Sequence, residues 1–350
     1  MSCLRPDLAE LSPYHLAPLP ANICKLDANE SPLDLPVHIK QKLAQLVAED
    51  MHSNRYPDGI YAELKTAIAE YVGCNATWVS LGNGSDELIR SLLLIACLGR
   101  GGILIAEPTF SMYGILAQTL GIKVYRSKRD HLWAMDLTDA EQLIAKNNIS
   151  AVFVVNPNSP TGNLLTTQEI DWLGSLPSSI LVVIDEAYFE YAGISLFPHL
   201  QNHPNWVILR TFSKAFRLAS YRVGYGIAHP EIITNLEKVR LPYNLSVLSA
   251  RSAQLAIQYR QELLATIPET IAVREEFYQF LKNLDWRVWP SWANFLYCQT
   301  DSDQRILETM RSQGVLIRQT GGGLRITIGT AEEMEQCKKA ILACKKLMTS

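Results

Sequence analysis

Between residues 79 and 228 the chain repeats one pattern: a short apolar run, a stretch with helical spacing, then another apolar run. The runs cover residues 79–81, 102–106, 123–126, 151–155, 181–185, 207–210 and 224–228. Runs this short and this apolar suit strands buried on both faces, with the intervening helices as cover. The pattern therefore predicts an α/β fold built on a mostly parallel sheet. The helical stretches carry ordinary start signals, such as the capping box Thr166-Thr167-Gln168-Glu169 ahead of Ile170-Asp171-Trp172-Leu173. After Pro242 the texture changes. One long helical stretch is expected from about Ser246 to Leu284, followed by strands near 287–289 and 295–297. A helix over 303–313, a strand over 324–329 and a last helix from Ala331 complete the reading. This part, joined by the N-terminal segment, predicts a smaller α+β domain, so that residues 46–244 form the large domain and residues 1–45 and 245–350 the small one. At 350 residues the chain is long enough for both.

Several strand ends deliver polar residues. The run Trp206-Val207-Ile208-Leu209 is followed by Arg210-Thr211-Phe212-Ser213-Lys214-Ala215-Phe216, and eight residues past the lysine comes Arg222. A strand-end lysine beside Thr211, Ser213 and Arg222 suits a phosphorylated aldehyde: the amine forms an imine while the hydroxyls and guanidinium take the phosphate. Most strand-end lysines are simply solvated, so this segment does not decide alone. Upstream, Ile180-Leu181-Val182-Val183-Ile184 delivers Asp185, with Tyr188 three residues on. Against the bland reading of a loop carboxylate stands a sharper one. A pyridinium nitrogen keeps its proton beside a fixed anion, and Tyr188 is placed to hydrogen-bond a ring hydroxyl.

An anion site also needs a helix start. Ser80-Leu81-Gly82-Asn83-Gly84-Ser85-Asp86-Glu87 opens an apolar helix, where free backbone N–H groups at Ser85 and Asp86 and the macrodipole favour a phosphate. The alternative is that Ser85 is only an N-cap. Glu87 occupies the third position of a would-be dinucleotide fingerprint, which rejects that reading.

The ordered set Asn156-Pro157-Asn158-Ser159-Pro160-Thr161-Gly162, Asp185-Glu186-Ala187-Tyr188, Thr211-Phe212-Ser213-Lys214-Ala215-Phe216 and Leu324-Arg325-Ile326-Thr327-Ile328-Gly329-Thr330 resembles the fold-type I pyridoxal phosphate aminotransferases. Leu11-Ser12-Pro13-Tyr14, Leu26-Asp27-Ala28-Asn29-Glu30-Ser31-Pro32, Asn54-Arg55-Tyr56-Pro57-Asp58 and Ile317-Arg318 followed by Gly323-Leu324-Arg325-Ile326-Thr327 narrow the resemblance to the histidinol-phosphate aminotransferases, over nearly the whole chain. The resemblance implies a large domain with a mostly parallel sheet between helices, and a smaller α+β domain. It implies pyridoxal 5'-phosphate on Lys214, with Asp185, Tyr188, Ser85, Asp86, Thr211, Ser213 and Arg222 around it and Phe110 stacked on its ring. The family's ring-hydroxyl asparagine is replaced by Ser159, so either Ser159 or the neighbouring Asn158 takes its part. Arg217 is a further departure.

For the substrate, the resemblance implies that Tyr14, Asn29, Tyr56, Arg318 and Arg325 bind a phosphorylated amino alcohol, Arg325 also taking the carboxylate of glutamate. Tyr56 would come from the partner of a homodimer. Threonine-phosphate decarboxylase, a broad aromatic aminotransferase and a non-catalytic regulator on the same fold remain as alternatives. Composition removes other classes. A net charge of −3 gives no pull toward nucleic acid or anionic membrane, and no apolar run approaches the ~20 residues of a spanning helix. The seven cysteines are odd in number and lack a Cys-x-x-Cys pair, and no Cys/His cluster suggests a metal. A cytoplasmic protein with reduced cysteines is expected.

Overall fold

The computed structural model describes Cys3, residues 5–7, 23–57 and 59–349, and side chains as far as Cys344. After β1 (Cys24–Lys25) come seven strands of one sheet: β2 (Val79–Asn83), β3 (Gly102–Ala106), β4 (Val124–Ser127), β5 (Ile149–Val155), β6 (Leu181–Asp185), β7 (Trp206–Thr211) and β8 (Val223–Ala228). Their spatial order is β2-β8-β7-β6-β5-β3-β4. The pairs among β3 to β7 are parallel, and β8 runs antiparallel to both β7 and β2. The expected mostly parallel sheet is therefore present.

Alternation along each strand feeds two cores. Leu104, Val152, Val154, Val182, Ile184 and Ile208 face one helical layer, while Ile103, Ile105, Phe153, Val183, Val207 and Leu209 face the other. Every residue of β5 and β7 is buried, which is why these strands read as unbroken apolar runs. Each such Val, Leu or Ile contributes about 1.5–3 kcal/mol through burial.

A second sheet holds β9 (Arg287–Val288), β10 (Phe295–Gln299), β12 (Arg318–Thr320) and β13 (Gly323–Thr327) in the antiparallel order β12-β13-β10-β9, and β11 (Val315–Leu316) pairs in parallel with β1. With helices Asp303–Ser312 and Ala331–Thr349 it encloses a separate core around Phe277, Leu296, Met310 and Ile326. The expected single helix over 246–284 is instead three, Val247–Gln258, Arg260–Leu264 and Ile267–Lys282. The second break falls where Pro268 enters the first turn of the third helix, because proline fits a helix start and disrupts an interior.

The expected division at residues 46 and 244 does not follow these cores. Ile39 and Leu43 of helix Val37–Glu49, and Ala250, Ala253 and Ile257 of helix Val247–Gln258, pack with the large sheet. We propose a division near residues 34 and 266. All seven cysteines are free, and no described helix is long and apolar enough to cross a membrane.

Candidate active site

The C-terminal ends of β5, β6 and β7 and the N-terminal end of helix Gly84–Ala96 meet around a cavity of about 120 Å³. Ser85, Asp86, Phe110, Ser159, Asp185, Tyr188, Thr211, Ser213, Lys214 and Arg222 all line it. Strands, helix start and loops widely separated in sequence thus converge on one cavity.

The anion end is built by close approach. β2 runs straight into helix Gly84–Ala96, whose cap is Asn83, so Ser85 lies inside the first turn and is not the N-cap. Gly84 has φ +72°, and a Cβ there would come within 2.5 Å of the Arg222 guanidinium. Gly224 on β8 is as crowded: a Cβ would meet the Ser85 amide nitrogen at 2.5 Å. Glycine at both positions lets the arginine and the helix start share one spot. Arg222, itself at φ +53°, donates from Nη1 to Ser213 Oγ at 3.3 Å, and its Nη2 lies 3.5 Å from Asp86 Oδ2. The Ser213 N–H donates to Thr211 Oγ1 at 3.1 Å, holding both hydroxyl residues on one turn. A guanidinium, hydroxyls and helix-start N–H groups form a donor set for a phosphate.

The amine lies across the cavity. Lys214 Nζ donates to the Ala28 carbonyl at 2.7 Å, tying the large-sheet lysine to the N-terminal segment. Burial, then the positive charge of Arg325, lowers the ammonium to about 8, so at pH 7 about a tenth of the amine is in its nucleophilic form, far more than for an ordinary lysine. Asp185, at the end of β6, accepts from the Ala187 N–H at 3.0 Å and from Tyr113 Oη at 2.7 Å. Burial raises it to about 6, against the pull of those two donors, which leaves it ionised at neutral pH.

Tyr188 and Ser159 form the remaining wall. Asn29 Nδ2 donates to Tyr188 Oη at 2.9 Å, and Thr327 Oγ1 donates to Asn29 Oδ1 at 3.2 Å. Burial pushes the Tyr188 phenol up, against Arg325, Asn29 and Ser159. Arg325 Nη1 donates to Ser159 Oγ at 3.1 Å and Nη2 to the Asp27 carbonyl at 2.6 Å. Across the β12–β13 pair Arg318 stands directly opposite Arg325, so both side chains leave the same face. The turn that permits this is Gly321-Gly322, at φ +61° and +78°, in a two-residue hairpin that needs left-handed backbone. Gly321 also packs so tightly on Pro108 that a Cβ would come within 2.7 Å of its side chain, which seats the hairpin on the large-domain loops.

Some expected residues fall elsewhere. Asn158 does not line the cavity. Its amide donates to the Pro108 carbonyl and Thr161 Oγ1, and its Oδ1 accepts from Thr109, so it is committed to the turn; Ser159 is the one that reaches the wall. Asn29 is fully buried and occupied by Tyr188 and Thr327, so it holds Tyr188 in place instead of facing the cavity. Arg217 donates to the Asp34 and Leu263 carbonyls and to Thr266 Oγ1, which joins the N-terminal segment to the helices leading into the small domain. Tyr56 is 71% exposed and stacks on Tyr243, centroids 4.3 Å apart; it does not line this chain's cavity. Tyr14 lies outside the described residues. Ala28 and Tyr113 were missed: a backbone carbonyl has no signature in a sequence, and Tyr113 reads as an ordinary core tyrosine.

With this geometry in place, relatives can be compared. The family model of the class I and II aminotransferases matches residues 21–341. The chain belongs to this aminotransferase family. Among its relatives, a histidinol-phosphate aminotransferase of Synechococcus sp. is 53% identical over 335 residues, covering 94% of this chain and 95% of the relative. One from Trichodesmium erythraeum is 53% identical over 344 residues, covering 91% and 92%. Among solved structures, histidinol-phosphate aminotransferase from Sinorhizobium meliloti in complex with pyridoxal-5'-phosphate superposes with a TM-score of 0.88 at 21% identity, covering 99% of each chain; at that identity the likeness is one of fold.

Proposed function

We propose that this aminotransferase uses pyridoxal 5'-phosphate to move an amino group from L-glutamate to imidazole acetol phosphate, giving L-histidinol phosphate and 2-oxoglutarate, a step of histidine biosynthesis. The names of relatives about half identical over nearly the full chain support the substrate. The observation that carries the reading is the pair Arg318 and Arg325, opposed on one face with Arg325 touching the cavity wall at Ser159. Two guanidiniums there suit a substrate phosphate and, at Arg325, a carboxylate.

The residues present fit the cofactor. Ser213, Arg222 and the helix start at Ser85 and Asp86 would hold its phosphate, Lys214 its aldehyde carbon, Tyr188 and Ser159 its hydroxyl, Asp185 its ring nitrogen, and Phe110 its ring face. When bound, the cofactor supplies an electron sink that stabilises the carbanion left by loss of a Cα proton. Lys214 Nζ would take that proton from the substrate Cα and deliver it to the carbon that bore the aldehyde, and the Ala28 carbonyl orients the amine between transfers. Asp185 keeps a negative charge opposite the phosphate end, and Asn29 fixes the Tyr188 hydroxyl.

Direct assay tests the reading: glutamate-dependent turnover of imidazole acetol phosphate beside phenylpyruvate, and release of carbon dioxide from O-phosphothreonine. Preference for phenylpyruvate, or decarboxylation, would overturn it. Arg318→Ala is expected to raise KM for histidinol phosphate about ten- to hundredfold, as for a lost charge-assisted hydrogen bond, and to leave glutamate nearly unchanged. Equal effects on both substrates would remove Arg318 from phosphate recognition.

Loading of cofactor-free protein carries a pH signature. An ammonium does not attack an aldehyde, so the loading rate should rise about tenfold per pH unit and level off above about 8, where Lys214 is neutral. A rate flat between pH 6 and 9 would contradict a buried reacting lysine.

Tyr56 leads to the assembly. Its exposure, stacked on Tyr243, supports a homodimer in which it completes the partner's site. Tyr56→Phe and Lys214→Ala chains, each defective alone, should then regain activity when mixed, since one site of the hybrid is intact. No recovery from proven hybrids would mean that each site is made by one chain. The cytoplasm is the proposed location.

A further inference from the structure

Asp185 is gripped from the protein side. Ala187 N–H donates to Oδ1 at 3.0 Å and Tyr113 Oη to Oδ2 at 2.7 Å. Tyr113 stands in the first turn of helix Met112–Thr119, fully buried and behind the cavity wall. Its ring is fixed by Phe153 on β5, with centroids 5.1 Å apart, and by an edge contact with Phe110 at 5.4 Å. Phe110 itself lines the cavity. One side chain therefore touches both the buried anion and the aromatic wall.

We propose that Tyr113 is a positioning residue for transamination: its phenol holds Asp185 as an oriented anion of limited basicity, so that the proton between Asp185 and the cofactor ring nitrogen stays on the ring. This rests on the cofactor reading above and deepens it. A carboxylate has about four acceptor sites, and two protein donors behind it leave the others for the cavity. A donor to the charged form favours that form. Without the phenol, burial would make Asp185 a stronger base, and the shared proton would move from the ring toward the carboxylate. Burial and the neighbouring Asp185 hold the phenol well above the usual phenol range, so it stays protonated and remains a donor.

A tyrosine that merely fills space and satisfies a buried carboxylate predicts something different, and spectroscopy separates the two. The experiment uses holoenzyme loaded with pyridoxal 5'-phosphate carrying nitrogen-15 in its ring, as wild type, Tyr113→Phe and Tyr113→3-fluorotyrosine. The ring-nitrogen resonance is read beside kcat and KM for both substrates. Tyr113→Phe should move the resonance toward that of unprotonated pyridine and lower kcat about tenfold in both half-reactions, with KM within about twofold. The fluorinated residue, a stronger donor of nearly the same shape, should move the resonance the opposite way. If Tyr113→Phe fails to load cofactor, the fluorinated variant decides alone. Wild-type resonance and kcat in the loaded variants, with only the melting temperature changed, would overturn the proposal. A wild-type protein that shows no bound ring-nitrogen signal would instead overturn the cofactor reading beneath it.

Discussion

Lys214→Ala is expected to lower kcat by about ten-thousandfold, the upper range for a lost general acid–base, while leaving the fold intact. Lys214 supplies the amine of the cavity, so truncation removes the covalent anchor and the proton carrier together. Borohydride should fix the cofactor on Lys214 in the wild type and leave no label at that position in the variant. Stability should move the other way. Burial lowers the Lys214 ammonium to about 8 from a free value near 10.5, so the folded state binds that proton less well than the unfolded state. That penalty is fully present below about pH 8 and fades as pH rises toward the free value. Cofactor-free Lys214→Ala should thus melt no lower than cofactor-free wild type at neutral pH, with any gain shrinking above pH 8. A variant that kept the bound cofactor's colour and its turnover would remove Lys214 from the mechanism.

The site was legible where chemistry and strand ends coincide. Asp185 and Lys214 follow apolar runs, and Arg222 precedes one, whose strand identity leaves little choice, because strands buried on both faces tolerate few polar residues before their ends. Contacts made by the backbone were not legible. The Ala28 carbonyl that receives the Lys214 amine could belong to any residue, and only tertiary folding brings it there. Asn158 and Ser159 were indistinguishable in sequence because adjacent polar residues in a turn point to opposite sides; the hydrogen bonds of Asn158 to Pro108 and Thr161 resolve them. Helix Val37–Glu49 has an apolar stripe that fits either core, so the division between domains could not be read from its pattern. The β1–β11 pair is two residues long on each strand, below what alternation can signal.

Asp185→Asn tests the acid end with little change of shape. The amide oxygen can still accept the Tyr113 phenol, so the buried tyrosine keeps a partner and the fold should persist. What changes is charge. Asp185 is raised to about 6 by burial, so at pH 7.5 the wild type presents mostly an anion, whereas asparagine presents a neutral N–H or C=O at every pH. A ring nitrogen facing a neutral amide loses the partner that favours its proton, and a lost charge partner shifts such an equilibrium by about 1–3 units. We therefore expect kcat to fall about a hundred- to a thousandfold in both half-reactions, with cofactor still bound through Lys214 and the phosphate donors. The pH profile supplies the control. Wild-type activity should fall only once pH drops below about 6, because a protonated ring nitrogen facing Asp185 keeps the carboxylate ionised to lower pH than in the cofactor-free site, and the residual activity of Asp185→Asn should lack that limb. Near-normal turnover in the variant, or an acid limb that survives the substitution, would show that Asp185 is a buried structural carboxylate and that another group sets the protonation of the ring.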